Sequence, residues 1–185
     1  MAFRAFVAVA VPPEPSLVAL LDELARLRAD VTPVDAAQLH FTLSFLGQVA
    51  DEAQPALAAA VAEAARGARR FALRLLHVGA FPNVRHPRVV WVGVEDPGPI
   101  STLAIRVRAE LAARGYSGDD KDFRAHLTLA RVRSPQAADE LSTFLRRHGA
   151  DVFHETPVES VSLYRSTPGP HGPRYEALAT AALEA

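Results

Sequence analysis

His40-Phe41-Thr42-Leu43 and His126-Leu127-Thr128-Leu129 are one pattern written twice. A chain of this length and composition should contain roughly 0.03 His-x-Thr-Leu tetrapeptides, so a matched pair is not an accident of composition. Residues i and i+2 of a strand share a face. His40 therefore projects with Thr42 and His126 with Thr128, while Phe41, Leu43, Phe45, Leu127 and Leu129 turn toward the core. A pseudo-dyad that brings two such strands to one cleft places two imidazoles and two hydroxyls around one small volume.

The flanking sequence repeats in the same order. Residues 3–11 alternate, with Val7, Val9 and Val11 opposite Phe6, Ala8 and Ala10, as in a half-buried strand. Leu17, Leu20, Leu21, Leu24 and Leu27 then make a helical stripe. Residues 39–47 read as a strand, Asp51 with Gln54 as a capping box for a helix that Gly67 ends, and 70–80 as a third strand. In the second half, 88–94 is a strand. A helix from Ile100 to Arg114 is stopped by Gly115, and 126–132 is a strand. Ser134-Pro135 opens a helix that Gly149 closes, and 156–165 is a strand. A last strand near 174–182 has no counterpart in the first half. Equivalent features recur 84–86 residues apart. The expected organisation is one domain over residues 1–185 with an internal repeat of approximately 3–80 and 88–165.

Composition narrows the chemistry. With 49% apolar residues among 185, the chain can bury a core. It has no cysteine, which excludes disulfides, thiolate metal sites and cysteine nucleophiles. No apolar run approaches the ~20 residues of a membrane span, and Met1 to Phe6 lacks a signal-peptide layout. A cytoplasmic monomer with no membrane partner is expected. The net charge of −1 argues against a long nucleic-acid groove, so any RNA contact should be local. Lys121 is the only lysine; the other cations are arginines, the better fork for a phosphate.

Two imidazoles suit phosphodiester chemistry: one takes a proton from the attacking oxygen while the other gives one to the leaving oxygen. The threonine hydroxyls can donate to non-bridging oxygens as charge builds there. A zinc site would need one or two further ligands, and no His-Glu-x-x-His is present, so no metal and no cofactor are expected. There is no Gly-x-x-x-x-Gly-Lys loop and no dinucleotide fingerprint.

The paired motifs resemble those of the two-histidine (2H) phosphoesterases, and within them the bacterial and archaeal RNA 2′,3′-cyclic phosphodiesterases known as 2′-5′ RNA ligases. The likeness also covers Phe3 to Pro12, Ser44 to Gly47, Gly79-Ala80-Phe81-Pro82, Pro87 to Gly93, Ala130-Arg131, Leu163 to Ser166 and Gly172 to Glu176. Ala125 stands where the family usually has proline, a change that touches no proton-transfer atom. The resemblance implies an α+β, bilobal fold of two pseudo-symmetric antiparallel-sheet lobes with outer helices and a central cleft. It implies that His40 is the proton donor, that His126 is the proton acceptor, and that the product is a 2′-phosphate.

Substrate-binding candidates are Arg131, Phe6 and Ser44. Arg131 can fork a phosphate and the family has an arginine there. Strand parity points it away from His126 unless a bulge or strand end intervenes. Phe6 is suited either to stacking on a base or to the core, and Ser44 continues the His40 face. Tyr164, Arg165, Arg174 and Tyr175 match family motifs or brace the last strands. His77, His86, His148 and His171 lack a threonine two residues on, and His154-Glu155-Thr156 lacks the leucine that completes the motif; all five read as surface or structural residues. The leading expectation is hydrolysis of an RNA 2′,3′-cyclic phosphate end, reversible as 2′-5′ ligation. Its rivals are a phosphodiesterase for a small cyclic nucleotide or ADP-ribose cyclic phosphate, and a non-catalytic module that binds RNA ends.

Overall fold

Strand β1 (Ala2–Ala10) lies inside a four-stranded antiparallel sheet, between β3 (His40–Ala50) and β8 (Ser160–Thr167), with β9 (Arg174–Ala182) beyond β8. Strand β5 (Val89–Val94) holds the equivalent place in a five-stranded antiparallel sheet, between β6 (Leu127–Val132) and β4 (Phe71–Phe81). The short β2 (Val31–Pro33) extends that sheet past β6, and β7 (Val152–Val158) extends it past β4. The order β3-β1-β8 thus corresponds strand for strand to β6-β5-β4, with β4 of the first half paired to β5 and β8 of the second half paired to β1. The computed structural model describes residues 1–27, 30–118, 122–134, 138–170 and 172–185; Pro135 and His171 lie outside them.

Helices cover the sheets in the same crossed fashion. Helix α1 (Pro15–Arg26) and helix α4 (Ala138–His148) contact the five-stranded sheet. Helices α2 (Gln54–Ala65) and α3 (Gly98–Ala112) contact the four-stranded one. Pro15 at the start of α1 has the φ a helix needs and no N–H to leave unpaired. From there Leu17, Leu20, Leu21 and Leu24 form its buried stripe. The small residues Ala60 and Ala64 let α2 approach α3, whose buried side is Ile100, Leu103, Val107 and Leu111. The buried apolar side chains of both sheets and their helices join in one cluster. Gly67 and Gly115 adopt positive φ where α2 and α3 stop, as their sequence positions predict. Among the described residues, no helix is long and apolar enough to cross a membrane.

Two local expectations are corrected. Asp51 and Gln54 do not form a capping box. Asp51–Ala53 is a 3₁₀ turn that runs into α2 without a side-chain cap, and Pro55 in the first helical turn removes one of the orphan donors. The strand expected over 156–165 is two strands that leave for different sheets: Val152–Val158 pairs with β4 and Ser160–Thr167 with β1. The sequence reading also missed β2, whose three residues are too few for periodicity to register.

Gly79 of β4 sits directly opposite Trp91 of β5, and the indole lies across the space a side chain would need. A Cβ at residue 79 would clash with the ring. Gly79→Ala should therefore lower the unfolding free energy by about 1–3 kcal/mol, the usual cost of overpacking, measured by urea denaturation. An unchanged midpoint would show that the indole moves aside freely.

Candidate active site

His40 opens β3 and His126 immediately precedes β6, so both lie where their strands face the gap between the two sheets. Each imidazole is fixed in the same way. His40 Nδ1 is 2.7 Å from the Gln38 carbonyl oxygen, and His126 Nδ1 is 2.6 Å from that of Arg124, in both cases two residues back. A carbonyl only accepts, so each Nδ1 carries the hydrogen and donates it. Each neutral ring then has its lone pair on Nε2, ready to accept a proton there. Both rings are also braced by aromatics: Phe6 and Tyr175 each lie 5.1 Å from His40, and Phe81 lies edge-on 5.0 Å from His126.

A cavity of about 350 Å³ between the sheets is lined by His40, Thr42, His126, Thr128, Arg131 and Tyr175. Thr42 and Thr128 are half-buried between fully buried neighbours, as the i, i+2 pattern requires. Arg131 is there because of a β-bulge. Against β5, Thr128 pairs with Trp91 and Ala130 with Val90, which leaves Leu129 as an extra residue. Leu129 and Ala130 are both buried, after which the alternation resumes with Arg131 outward. The same bulge occurs in β3, where Thr42 pairs with Ala8 and Ser44 with Val7, leaving Leu43 extra. Each bulged residue's carbonyl has a donor from outside its own pair of strands: Arg108 Nε reaches Leu43 O at 3.1 Å, and the Val34 N–H reaches Leu129 O at 2.8 Å.

The first-half bulge overturns two expectations. Ser44 does not continue the His40 face. It turns inward, with its hydroxyl buried under the close approach of Gly118. Phe45, expected in the core, instead turns toward the cleft as the counterpart of Arg131, with the Arg4 guanidinium 5.3 Å from its ring. Phe6 is not open for stacking on a base. It is 3% exposed, with Tyr164 stacked at 5.2 Å and His40 and Tyr175 against it. It holds the His40 ring from behind.

Sequence reasoning missed Gln38, whose backbone oxygen holds His40 while its side-chain oxygen accepts the Tyr175 N–H at 2.9 Å. It also missed Arg4 and Arg133, which line the cleft beside Arg131. Only the place of Gln38 two residues before the motif histidine hinted at its role; Arg4 and Arg133 carried no local signal.

The family model of the 2′-5′ RNA ligase superfamily matches residues 11–170. The chain belongs to this superfamily. A relative in Archaeoglobus fulgidus, named RNA 2′,3′-cyclic phosphodiesterase, is 37% identical over 161 residues, covering 86% of this chain and 87% of that one. A Thermus thermophilus protein of the same name is 36% identical over 184 residues, covering 95% and 87%. Among solved structures, TT0787 of Thermus thermophilus superposes with a TM-score of 0.81 at 35% identity over 97% of both chains. Escherichia coli LigT complexed with 3′-AMP gives 0.71 at 27% identity over 99% of both. The two antiparallel sheets and their outer helices are the architecture of the superfamily's solved members.

The site's electrostatics set its pH response. Burial holds the pKa of both imidazoles below the ordinary histidine value, against the opposing pull of the two carbonyl hydrogen bonds. Positive charge lowers both further: His126 and Arg131 act on His40, and Arg131 acts on His126. A reaction that needs one imidazole neutral and the other protonated has a bell-shaped kcat/KM whose limbs belong to the pair. With both pKa values lowered, the bell should centre below about pH 6.5, the unperturbed value. Arg131→Gln removes a charge that opposes protonation of both rings, so it should move the bell to higher pH. It should also lower kcat/KM by about 10²–10³-fold, the scale of one lost oxyanion donor. A bell that stays in place in Arg131→Gln would contradict this electrostatic reading.

Proposed function

We propose that the chain hydrolyses 2′,3′-cyclic phosphate ends of RNA to 2′-phosphates, and that the same ring opening, with a 5′-hydroxyl in place of water, joins RNA through a 2′-5′ link. The observation that carries this is the pair of imidazoles, each with Nδ1 occupied and Nε2 available, facing one cavity with two threonine hydroxyls and an arginine. His126 takes the proton of the attacking water as its oxygen bonds to phosphorus. His40, protonated, donates to O3′ as the P–O3′ bond breaks. Thr42, Thr128 and Arg131 stabilise the charge that develops on the non-bridging oxygens. The roles of the two histidines follow the family resemblance. Relatives 30–37% identical over most of the chain that are named RNA 2′,3′-cyclic phosphodiesterase support the substrate class. The matching bulges and crossed strand orders support reading residues 3–80 and 88–165 as two copies of one unit within a single domain.

A small cyclic nucleotide is the second reading, favoured by the fact that LigT was solved with 3′-AMP. Rates on a mononucleoside 2′,3′-cyclic phosphate and on a short RNA with the same end separate the two. A kcat/KM at least tenfold higher on the RNA supports the RNA reading, and a higher value on the mononucleotide overturns it. Both proton transfers have a resident imidazole, so EDTA dialysis should leave turnover unchanged. Loss restored by zinc or manganese would contradict the mechanism.

His40→Ala and His126→Ala should each lower turnover by about 10²–10⁴-fold, and Thr42→Val or Thr128→Val by about 10–10³-fold. The roles separate with a diester whose leaving oxygen is a nitrophenolate. That group leaves without proton help, so it should largely rescue His40→Ala and not His126→Ala. The opposite rescue would exchange the roles, and a 3′-phosphate product from RNA would show that the wrong bond was assigned.

A further inference from the structure

The two histidines share the central cavity, but each also faces a chamber of its own. The chamber on the His40 side, about 500 Å³, is lined by Arg4, Arg133, Tyr175 and the turn around Gly169 and Gly172, and does not reach His126. The chamber on the His126 side, about 800 Å³, does not reach His40. Three phenylalanines, Phe45, Phe81 and Phe123, line it, none of them fully buried, together with Arg108, Asp122 and Arg124, and the Arg108 guanidinium lies 5.9 Å from the Phe123 ring. Thr42, Phe45 and Arg131 are common to both chambers, so they mark where one opens into the other.

Displacement at phosphorus puts the attacking and leaving oxygens roughly in line, on opposite sides of the reacting atom. With His40 donating to O3′, the ribose and the RNA strand that carries the cyclic phosphate lie on the His40 side. The attacking oxygen comes from the His126 side. Water needs only about 30 Å³ and no aromatic wall. The chamber beside His126 is instead the size of a site for an organic ligand, and its wall of partly exposed rings with arginines is the usual make-up of a platform for bases and phosphates.

We propose that this chamber is an acceptor site for a second RNA strand: it binds a 5′-terminal nucleotide and presents that nucleotide's 5′-hydroxyl to the cyclic phosphate in place of water. The O5′–P bond forms as the P–O3′ bond breaks, the O5′ proton passes to His126, and His40 protonates O3′. The product is a 2′-5′ linkage. The proposal rests on the cyclic-phosphate reading and adds to it a separate place for the nucleophile. Phe123 is its most specific element, because it lines this chamber and neither the central cavity nor the chamber beside His40.

The test is a partition experiment with one RNA ending in a 2′,3′-cyclic phosphate and a second oligonucleotide bearing a free 5′-hydroxyl. The ratio of 2′-5′-joined product to 2′-phosphate is followed as the second strand is raised. The wild-type protein should show a saturable ratio. Phe123→Ala should raise the half-saturating acceptor concentration at least tenfold, and should change the KM for the cyclic-phosphate strand by much less. Phe123→Leu, which keeps the apolar volume, controls for folding and should also weaken acceptor saturation because it removes the stacking ring. A ratio that never saturates, or variants that raise the KM of the cyclic-phosphate strand while leaving the ratio untouched, would overturn the acceptor site and place the cyclic-phosphate strand in this chamber. If the wild-type protein neither hydrolyses nor joins the cyclic-phosphate RNA, the substrate reading fails, and the acceptor site falls with it.

Discussion

Two hydrogen bonds from imidazole to backbone, His40 to Gln38 and His126 to Arg124, set the terms on which this site can work. An imidazole free to rotate or change tautomer would present a lone pair or a proton to the substrate at random. Here Nδ1–H is committed to a carbonyl in both rings, so proton exchange with a ligand runs through Nε2. The carbonyls lie two residues before the histidines, at the point where the chain enters the motif strand. The orientation of each ring is therefore set by the path of its own backbone. Ring contacts then limit tilt, from Phe6 and Tyr175 on one side and from Phe81 on the other.

The bulges do for the phosphate what those bonds do for the protons. A regular strand would carry Arg131 and Phe45 away from the cleft. An extra residue just before each of them, Leu129 in β6 and Leu43 in β3, turns them back toward it. A bulge leaves backbone groups in need of partners, and here Val34 and Arg108 supply donors to the two bulged carbonyls. Arg131 consequently lies close enough to lower the pKa of both histidines as well as to face an anion. With Arg4 and Arg133 beside it, it gives a chain of net charge −1 a locally positive cleft.

The central features were legible in the sequence because they are local. The duplicated tetrapeptide named four cavity-lining side chains, and the alternation of 3–11 and 39–47 found the strands that hold one sheet together. What escaped depends on partners distant in the chain. Ser44 and Phe45 were assigned to the wrong sides because strand parity holds only until a bulge, and a bulge is decided by the neighbouring strand. Phe6 was placed on a plausible face, but only the fold reveals that Tyr164 and Tyr175, more than 150 residues on, already cover its ring. The exchange of β4 and β8 between the sheets left no periodic signal, because both read as ordinary strands whichever sheet they join.

The central claim is that His40 and His126 act together on one phosphorus, and a double-mutant cycle on cyclic-phosphate RNA tests it most directly. If the two imidazoles serve one displacement, removal of the second from an enzyme already lacking the first should cost little. His40→Ala/His126→Ala should then be far more active than the product of the two single losses would allow. Losses that multiply would mean that the two histidines act independently, and would contradict the account.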